Sequence, residues 1–164
     1  MLEWRSFVSN TKLCSRFSAD EWHKMVTDID SDKDWEQFLS EYPQFVKCYI
    51  LYHVTTNEPI AFAYTFMEDD KGKVVSFHGG GWKRSPYYTL LYYQGMINLV
   101  EMLINRGLKV RTACLRDNLV AYRFLKSAGF VNYNSTLDWH YFWINRHRLM
   151  SSKIYKRIQR LGLE

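Results

Sequence analysis

Residues 90–107, LLYYQGMINLVEMLINRG, restrict the fold of this chain more than any other stretch. Leu91, Met96, Val100, Leu103 and Ile104 fall roughly on one face of a 3.6-residue period, and Gly107 supplies a natural helix stop. The pattern lies between two β-rich runs, KVVSFH at 73–78 and KVRTACL at 109–115. A helix connecting two strands of one sheet implies a right-handed crossover that sets them parallel. The chain is therefore expected to be an α/β domain.

The flanking stretches add antiparallel strands. LEWRSFV at 2–8 alternates as a first strand, while FVKCYILYHV and IAFAYTFM flank a predicted turn at Thr56-Asn57-Glu58-Pro59. Asp69-Asp70-Lys71-Gly72 makes the next turn, leading into the fourth strand, and FVNYNST with LDWHYFWIN forms a final hairpin. Two short helices are predicted after the first strand. Ser18 with Glu21, and Ser31 with Asp34, have the spacing of reciprocal helix caps, and Pro43 closes the second helix. The order is β-α-α-β-β-β-α-β-α-β-β, a mixed, mostly antiparallel central sheet flanked by helices.

With 164 residues, 47% of them apolar and 17% aromatic, the chain can bury one core, so residues 1–164 are expected to form one domain. Cys14, Cys48 and Cys114 are odd in number and lack metal-ligand spacing, which reads as buried thiols in a reducing cytoplasm and predicts no metal site. Glu3 and Arg5 interrupt the first apolar stretch, and no later run approaches the roughly 18 apolar residues of a membrane span. Charge is divided unevenly: residues 1–82 hold 8 Lys/Arg against 13 Asp/Glu, and residues 83–164 hold 14 against 4. The basic half suits phosphates, and an acidic half facing a cleft suits a cationic substrate; a solvated surface accounts for either equally well.

The order of elements, together with Asn118-x-x-Ala121 and the following Gly129-Phe130, resembles the GNAT superfamily of acyl-CoA N-acyltransferases. In that family the helix after the fifth strand opens with N-x-x-A and ends in G-F. The resemblance spans nearly the whole chain in topology and is sharp over residues 107–130. It implies acetyl transfer from acetyl-CoA, as co-substrate, to a primary amine of a small molecule or peptide, by direct attack in a ternary complex. Asn118 then stands at the cofactor's edge; as an isolated residue it reads more readily as an ordinary helix N-cap.

Two departures from the family pattern stand out. The family's pyrophosphate signature, Q/R-x-x-G-x-G/A, is replaced by GGGWKRSPYYTLLYY at 79–93. The candidate cofactor residues there are Gly79 and Gly80, whose bare backbone admits the pantetheine arm, and Lys83 and Arg84 as cations. Ser85 joins them as an N-cap before Pro86, with Tyr87 and Tyr88 as hydroxyl donors. If the helix begins nearer Leu90, Ser85-Pro86 is only a turn. The second departure is the tyrosine that many relatives place seven residues after the Asn, where it can protonate the departing thiolate. Leu125 occupies that position, and Tyr122, one turn earlier, is the candidate substitute, with packing at the sheet edge as its plain alternative.

A protonated amine must lose a proton before it attacks, and His78, at the end of the fourth strand, is the candidate base, with His53 as competitor. By family analogy the acceptor site draws on the two early helices and the last hairpin, a region that includes Asp28, Asp30, Asp32 and Asp34, whose plain alternative is a solvated acidic loop. Residues 147–164 read as an added basic amphipathic helix, with Met150, Ile154, Ile158 and Leu161 as its stripe. Docking on its own domain or on a homodimer partner is the usual fate of such a helix, and a nucleic-acid or ribosomal surface is the rarer one. The rival to the enzyme is thus a GNAT-shaped, catalytically inactive protein that binds through this basic face.

Overall fold

A computed structural model of the protein describes residues 2–8, 46–68, 71–81 and 85–161. The two capped helices, the four aspartates among them, Cys14, Asp69, Asp70, Lys83 and Arg84 lie outside the described residues. Seven strands form one sheet in the order β1-β2-β3-β4-β5-β7-β6. They are β1 (Leu2–Val8), β2 (Val46–His53), β3 (Glu58–Met67), β4 (Val74–Gly81), β5 (Lys109–Leu115), β6 (Val131–Ser135) and β7 (Trp139–Ile144). Neighbours are antiparallel except β4 and β5, which run parallel as the crossover argument requires.

Helix α1 (Pro86–Asn105) connects that pair, and α2 (Leu119–Ser127) connects β5 to β6. The chain ends in α3 (Arg146–Ser151) and α4 (Lys153–Arg160). All four helices contribute to one core cluster with Val75 and Phe77 of β4, Val110 and Cys114 of β5, and Phe142 and Ile144 of β7. Within α1, Leu91, Met96, Val100 and Leu103 are buried as the periodicity predicts, and Ile104 is half-buried. Gly107 ends the helix with φ +80°. Gly95 lets α1 approach β2 closely, since a Cβ there would stand 2.3 Å from Leu51 Cδ2. On that same turn the Trp4 indole N–H donates to the Gly95 carbonyl at 2.6 Å, tying β1 to the helix.

Three local features differ from the sequence expectation. The β2–β3 turn occupies residues 54–57, with Asn57 at φ 54°, and the strand already begins at Glu58. Pro59 pairs with Tyr52 beside a register shift, where a missing N–H is tolerated. Gly79, Gly80 and Gly81 belong to a strand, paired with Ala63, Phe62 and Ala61, because β3 continues to offer a full ladder. The C-terminal segment forms two helices, broken at Ser152, whose extended backbone (φ −69°, ψ 153°) ends α3 and whose hydroxyl caps α4 through Tyr155 N–H at 3.2 Å. The break lets Leu149 and Ile158 both reach the core, 1% and 4% exposed, while Met150 and Leu161 of the predicted stripe remain 46% and 52% exposed. No described helix is long and apolar enough to cross a membrane.

Candidate active site

The parallel ladder between β4 and β5 covers three pairs, from Val74↔Lys109 to Ser76↔Arg111. Beyond it each strand stays with its other partner. Thus β4 pairs with β3 up to Gly81↔Ala61, and β5 pairs with β7 up to Leu115↔Trp139. The facing edges therefore part into a wedge that opens toward the C-terminal ends of both strands. At its apex the buried Thr112 hydroxyl donates to the Phe77 carbonyl at 2.7 Å. That bond shows Phe77 turning its peptide groups toward β5, so strand alternation aims the N–H and C=O of Gly79 into the wedge. An extended ligand bearing amides can pair with such an edge as an added strand does.

Two helix starts flank the wedge mouth, because α1 follows β4 and α2 follows β5. Ser85 caps α1, its hydroxyl accepting from Tyr88 N–H at 3.2 Å with Pro86 in the first helical position. Asn118 caps α2, its Oδ1 accepting from Ala121 N–H at 3.1 Å. Among the described residues the Nδ2 side of that amide has no hydrogen-bond partner. Unsatisfied backbone N–H groups and the helix dipoles make both ends suited to anions. Outside the carboxyl ends of parallel strands is also where ligands gather in α/β sheets.

His78 lies in β4, opposite Tyr64 in register, with the two rings stacked at 5.3 Å and an interplanar angle of 19°. Phe77 packs toward the helices, its ring 5.9 Å from Phe130, so His78 points to the other sheet face. His53, at the end of β2, is separated from the wedge by β3 and β4. Tyr87 is exposed and meets Tyr88 edge-on, while the Tyr88 hydroxyl donates to the Glu58 carboxylate at 3.3 Å. Tyr122 turns to β7, its ring 5.0 Å from His140 and 5.7 Å from Phe142, and Leu125 is buried in the core. The structure thus gathers Gly79, Ser85 and Asn118 around one opening and sets Tyr122 on the far side of β5.

Two features escaped the sequence reading. Thr112 looks like any β-branched residue of a strand, and only the divergence of two strands far apart in sequence gives its hydroxyl a function. Glu68 receives a hydrogen bond from Ser76 at 2.6 Å and pairs with Arg111 at 3.1 Å, clamping β3, β4 and β5 together where the parallel ladder runs. Burial pushes the Cys114 thiol up to about 11, so it stays protonated near neutral pH and is a poor nucleophile. Burial also raises the hydroxyls of Tyr92 and Tyr93, and the Tyr93 ring stacks on Phe124 of α2 at 4.2 Å. This aromatic layer holds α1 against α2 and so fixes the spacing of the two helix starts.

The architecture matches solved N-acetyltransferases over most of the chain. The aminoglycoside acetyltransferase AAC(6')-Ib, in complex with coenzyme A and kanamycin, aligns with TM-score 0.64 at 18% identity, covering 97% of this chain and 99% of that one. The N-acetyltransferase PseH of Campylobacter jejuni, in complex with acetyl coenzyme A, aligns with TM-score 0.60 at 12% identity, covering 89% and 99%. Mutant forms of the spermidine/spermine N-acetyltransferase SpeG from Vibrio cholerae align with TM-score 0.65 at 11% identity, covering 91% and 96%. The protein has the GNAT fold, as the Asn118–Phe130 pattern led us to expect. No protein-family model and no curated protein matches its sequence.

Proposed function

We propose that the protein is an N-acetyltransferase that moves an acetyl group from acetyl-CoA to a primary amine of a small molecule. The observation that carries this reading is the wedge between β4 and β5 with two capped helix starts at its mouth. The similar structures support it, since their names are those of acetyltransferases and several hold coenzyme A or acetyl coenzyme A.

In this reading the Gly79 edge pairs with the pantetheine amides, and Gly80 keeps the strand bare there. The α1 start, with Ser85, Tyr87 and the neighbouring Lys83 and Arg84, receives the pyrophosphate, while the Tyr88 hydroxyl donates to Glu58. Asn118 contributes its Nδ2 donor. His78 accepts the proton of the incoming ammonium, directly or through a water. The amine nitrogen then bonds to the thioester carbonyl carbon and gives its second proton to solvent, the carbon–sulfur bond breaks, and coenzyme A leaves as a thiolate that solvent protonates. Solvent takes that last role because Tyr122 faces β7. The raised Cys114 thiol favours this direct transfer over an acetylated cysteine.

The acidic first half of the sequence supports a cationic acceptor, as do the aminoglycoside and polyamine enzymes among the similar structures. Dependence on acetyl-CoA carries a cytoplasmic setting with it. The test is thiol release from acetyl-CoA over a panel of amines, with His78→Ala alongside. The variant is expected to lose turnover while retaining acetyl-CoA affinity. Turnover equal to the parent at every pH would remove His78 from the mechanism.

A further inference from the structure

We infer that the α3–α4 segment is a docking surface for the phosphate backbone of a double-stranded nucleic acid, at the pole of the molecule opposite the wedge. Between Asp138 and Glu164 the sequence has no carboxylate but carries Arg146, Arg148, Lys153, Lys156, Arg157 and Arg160, and all six are exposed. Arg146 donates to the side chain of Asn105, the last residue of α1, which places the segment at that helix's C-terminal end. A 20-residue helix spans about 30 Å, so these cations lie far from the α1 start and cannot serve a cofactor held there. Arg106 and Lys109 are exposed at the same pole and extend the positive surface.

The break at Ser152 shapes this surface. It separates α3 from α4, and residues of both helices, Arg146, His147, Met150, Ser151 and Lys156, line an open groove of about 600 Å³. Charge complementarity selects a polyanion. A bilayer is the less suitable one, because an interfacial helix needs a broad apolar face to insert. Here Leu149 and Ile158 are buried in the core, Ile154 and Tyr155 pack against it, and among the described residues of the segment Met150 and Leu161 alone stand out. A single strand is also a poorer fit, since stacking on aromatic rings anchors its bases. Tyr155, the segment's one aromatic ring, is held by Glu101 through its hydroxyl at 3.2 Å. What remains is a row of cations for phosphates, which predicts affinity without sequence preference and with strong salt dependence.

The test is fluorescence anisotropy of a labelled RNA duplex of about 20 base pairs, titrated with the full chain from about 50 to 200 mM salt. Saturable binding is expected, with a log–log salt slope of about −3, the value for three to four phosphate contacts. The combined variant Lys153→Gln, Lys156→Gln, Arg157→Gln, Arg160→Gln should weaken binding by about ten-fold or more and flatten the slope. Circular-dichroism melting verifies that it is folded. Arg116→Gln, exposed at the wedge end of β5, should bind as the parent does. The proposal is overturned by any of three results: no binding at the lowest salt, equal binding by the four-fold variant, or segment-dependent binding to phosphatidylserine vesicles without binding to the duplex. None of these outcomes depends on whether the wedge holds acetyl-CoA.

Discussion

Substitution of Asn118 separates two functions that one side chain performs. Its Oδ1 caps α2 by accepting the Ala121 N–H at 3.1 Å, and its Nδ2 is the group we assign to the acetyl-CoA side. Asn118→Ala removes both, and loss of such a cap costs about 1 kcal/mol, or about 2–4 °C in Tm for a chain of this size. Asn118→Asp keeps an acceptor in the capping position, where the helix dipole favours a carboxylate, so its melting should match the parent. The Asp variant nevertheless turns an oxygen toward the ligand where the parent has a donor. Loss of one hydrogen bond, worth about 0.5–1.5 kcal/mol, raises the acetyl-CoA Kd about two- to twelve-fold, and repulsion from phosphate adds to this. Melting followed by circular dichroism and calorimetric titration with acetyl-CoA read the two effects separately. An Asp variant that binds acetyl-CoA as tightly as the parent would refute the reasoning and leave Asn118 as a cap alone.

Other substitutions probe the scaffold. Gly129 has φ +95°, and a Cβ there would lie 2.3 Å from the Arg148 carbonyl oxygen. Gly129→Ala should therefore cost on the order of 2–4 kcal/mol and lower Tm by about 10 °C, since the left-handed conformation alone costs an alanine about 1–2 kcal/mol; a shift below 2 °C, as read by the same melting assay, would contradict the close approach of α3. Thr112→Val preserves shape but leaves the Phe77 carbonyl without its 2.7 Å donor, and should lower stability by about 1–3 kcal/mol in urea unfolding. An unchanged urea midpoint would show that the wedge apex does not need that bond. Cys114 ionises near 9 when solvated and at about 11 in the folded chain, so the unfolded chain loses its proton first as pH rises. Its contribution is complete below pH 9 and disappears as pH climbs toward 11, and the raised Tyr92 hydroxyl acts in the same direction above its usual range. Tm should fall over that interval, and Cys114→Ser should make the fall shallower.

What the sequence made legible was local. Ser85-Pro86, Gly107, Asn118 and Gly129 are caps and stops whose chemistry operates within one turn, and each stands where that chemistry places it. The run at 109–115 forms a strand with the same limits in sequence and structure. Features that depend on distant partners were hidden. Three successive glycines look like a loop until β3 is found paired along them. A stripe of Met150, Ile154, Ile158 and Leu161 describes one straight helix, yet burying Leu149 together with Ile158 requires the turn at Ser152. The orientation of Tyr122 depends on which side of α2 meets β7, a rotation that residue spacing alone does not fix. In the candidate site, the residues at helix starts were readable, whereas the wedge that gives them a purpose exists only between two strands separated by a 20-residue helix.

The central claim is that the opening between β4 and β5 holds acetyl-CoA. Calorimetric titration of the purified, unmodified chain with acetyl-CoA, without any amine present, tests it most directly. Saturable one-to-one binding in the micromolar range is expected. Protein that melts cooperatively yet gives no binding heat, and no rise in Tm with excess acetyl-CoA, would contradict it.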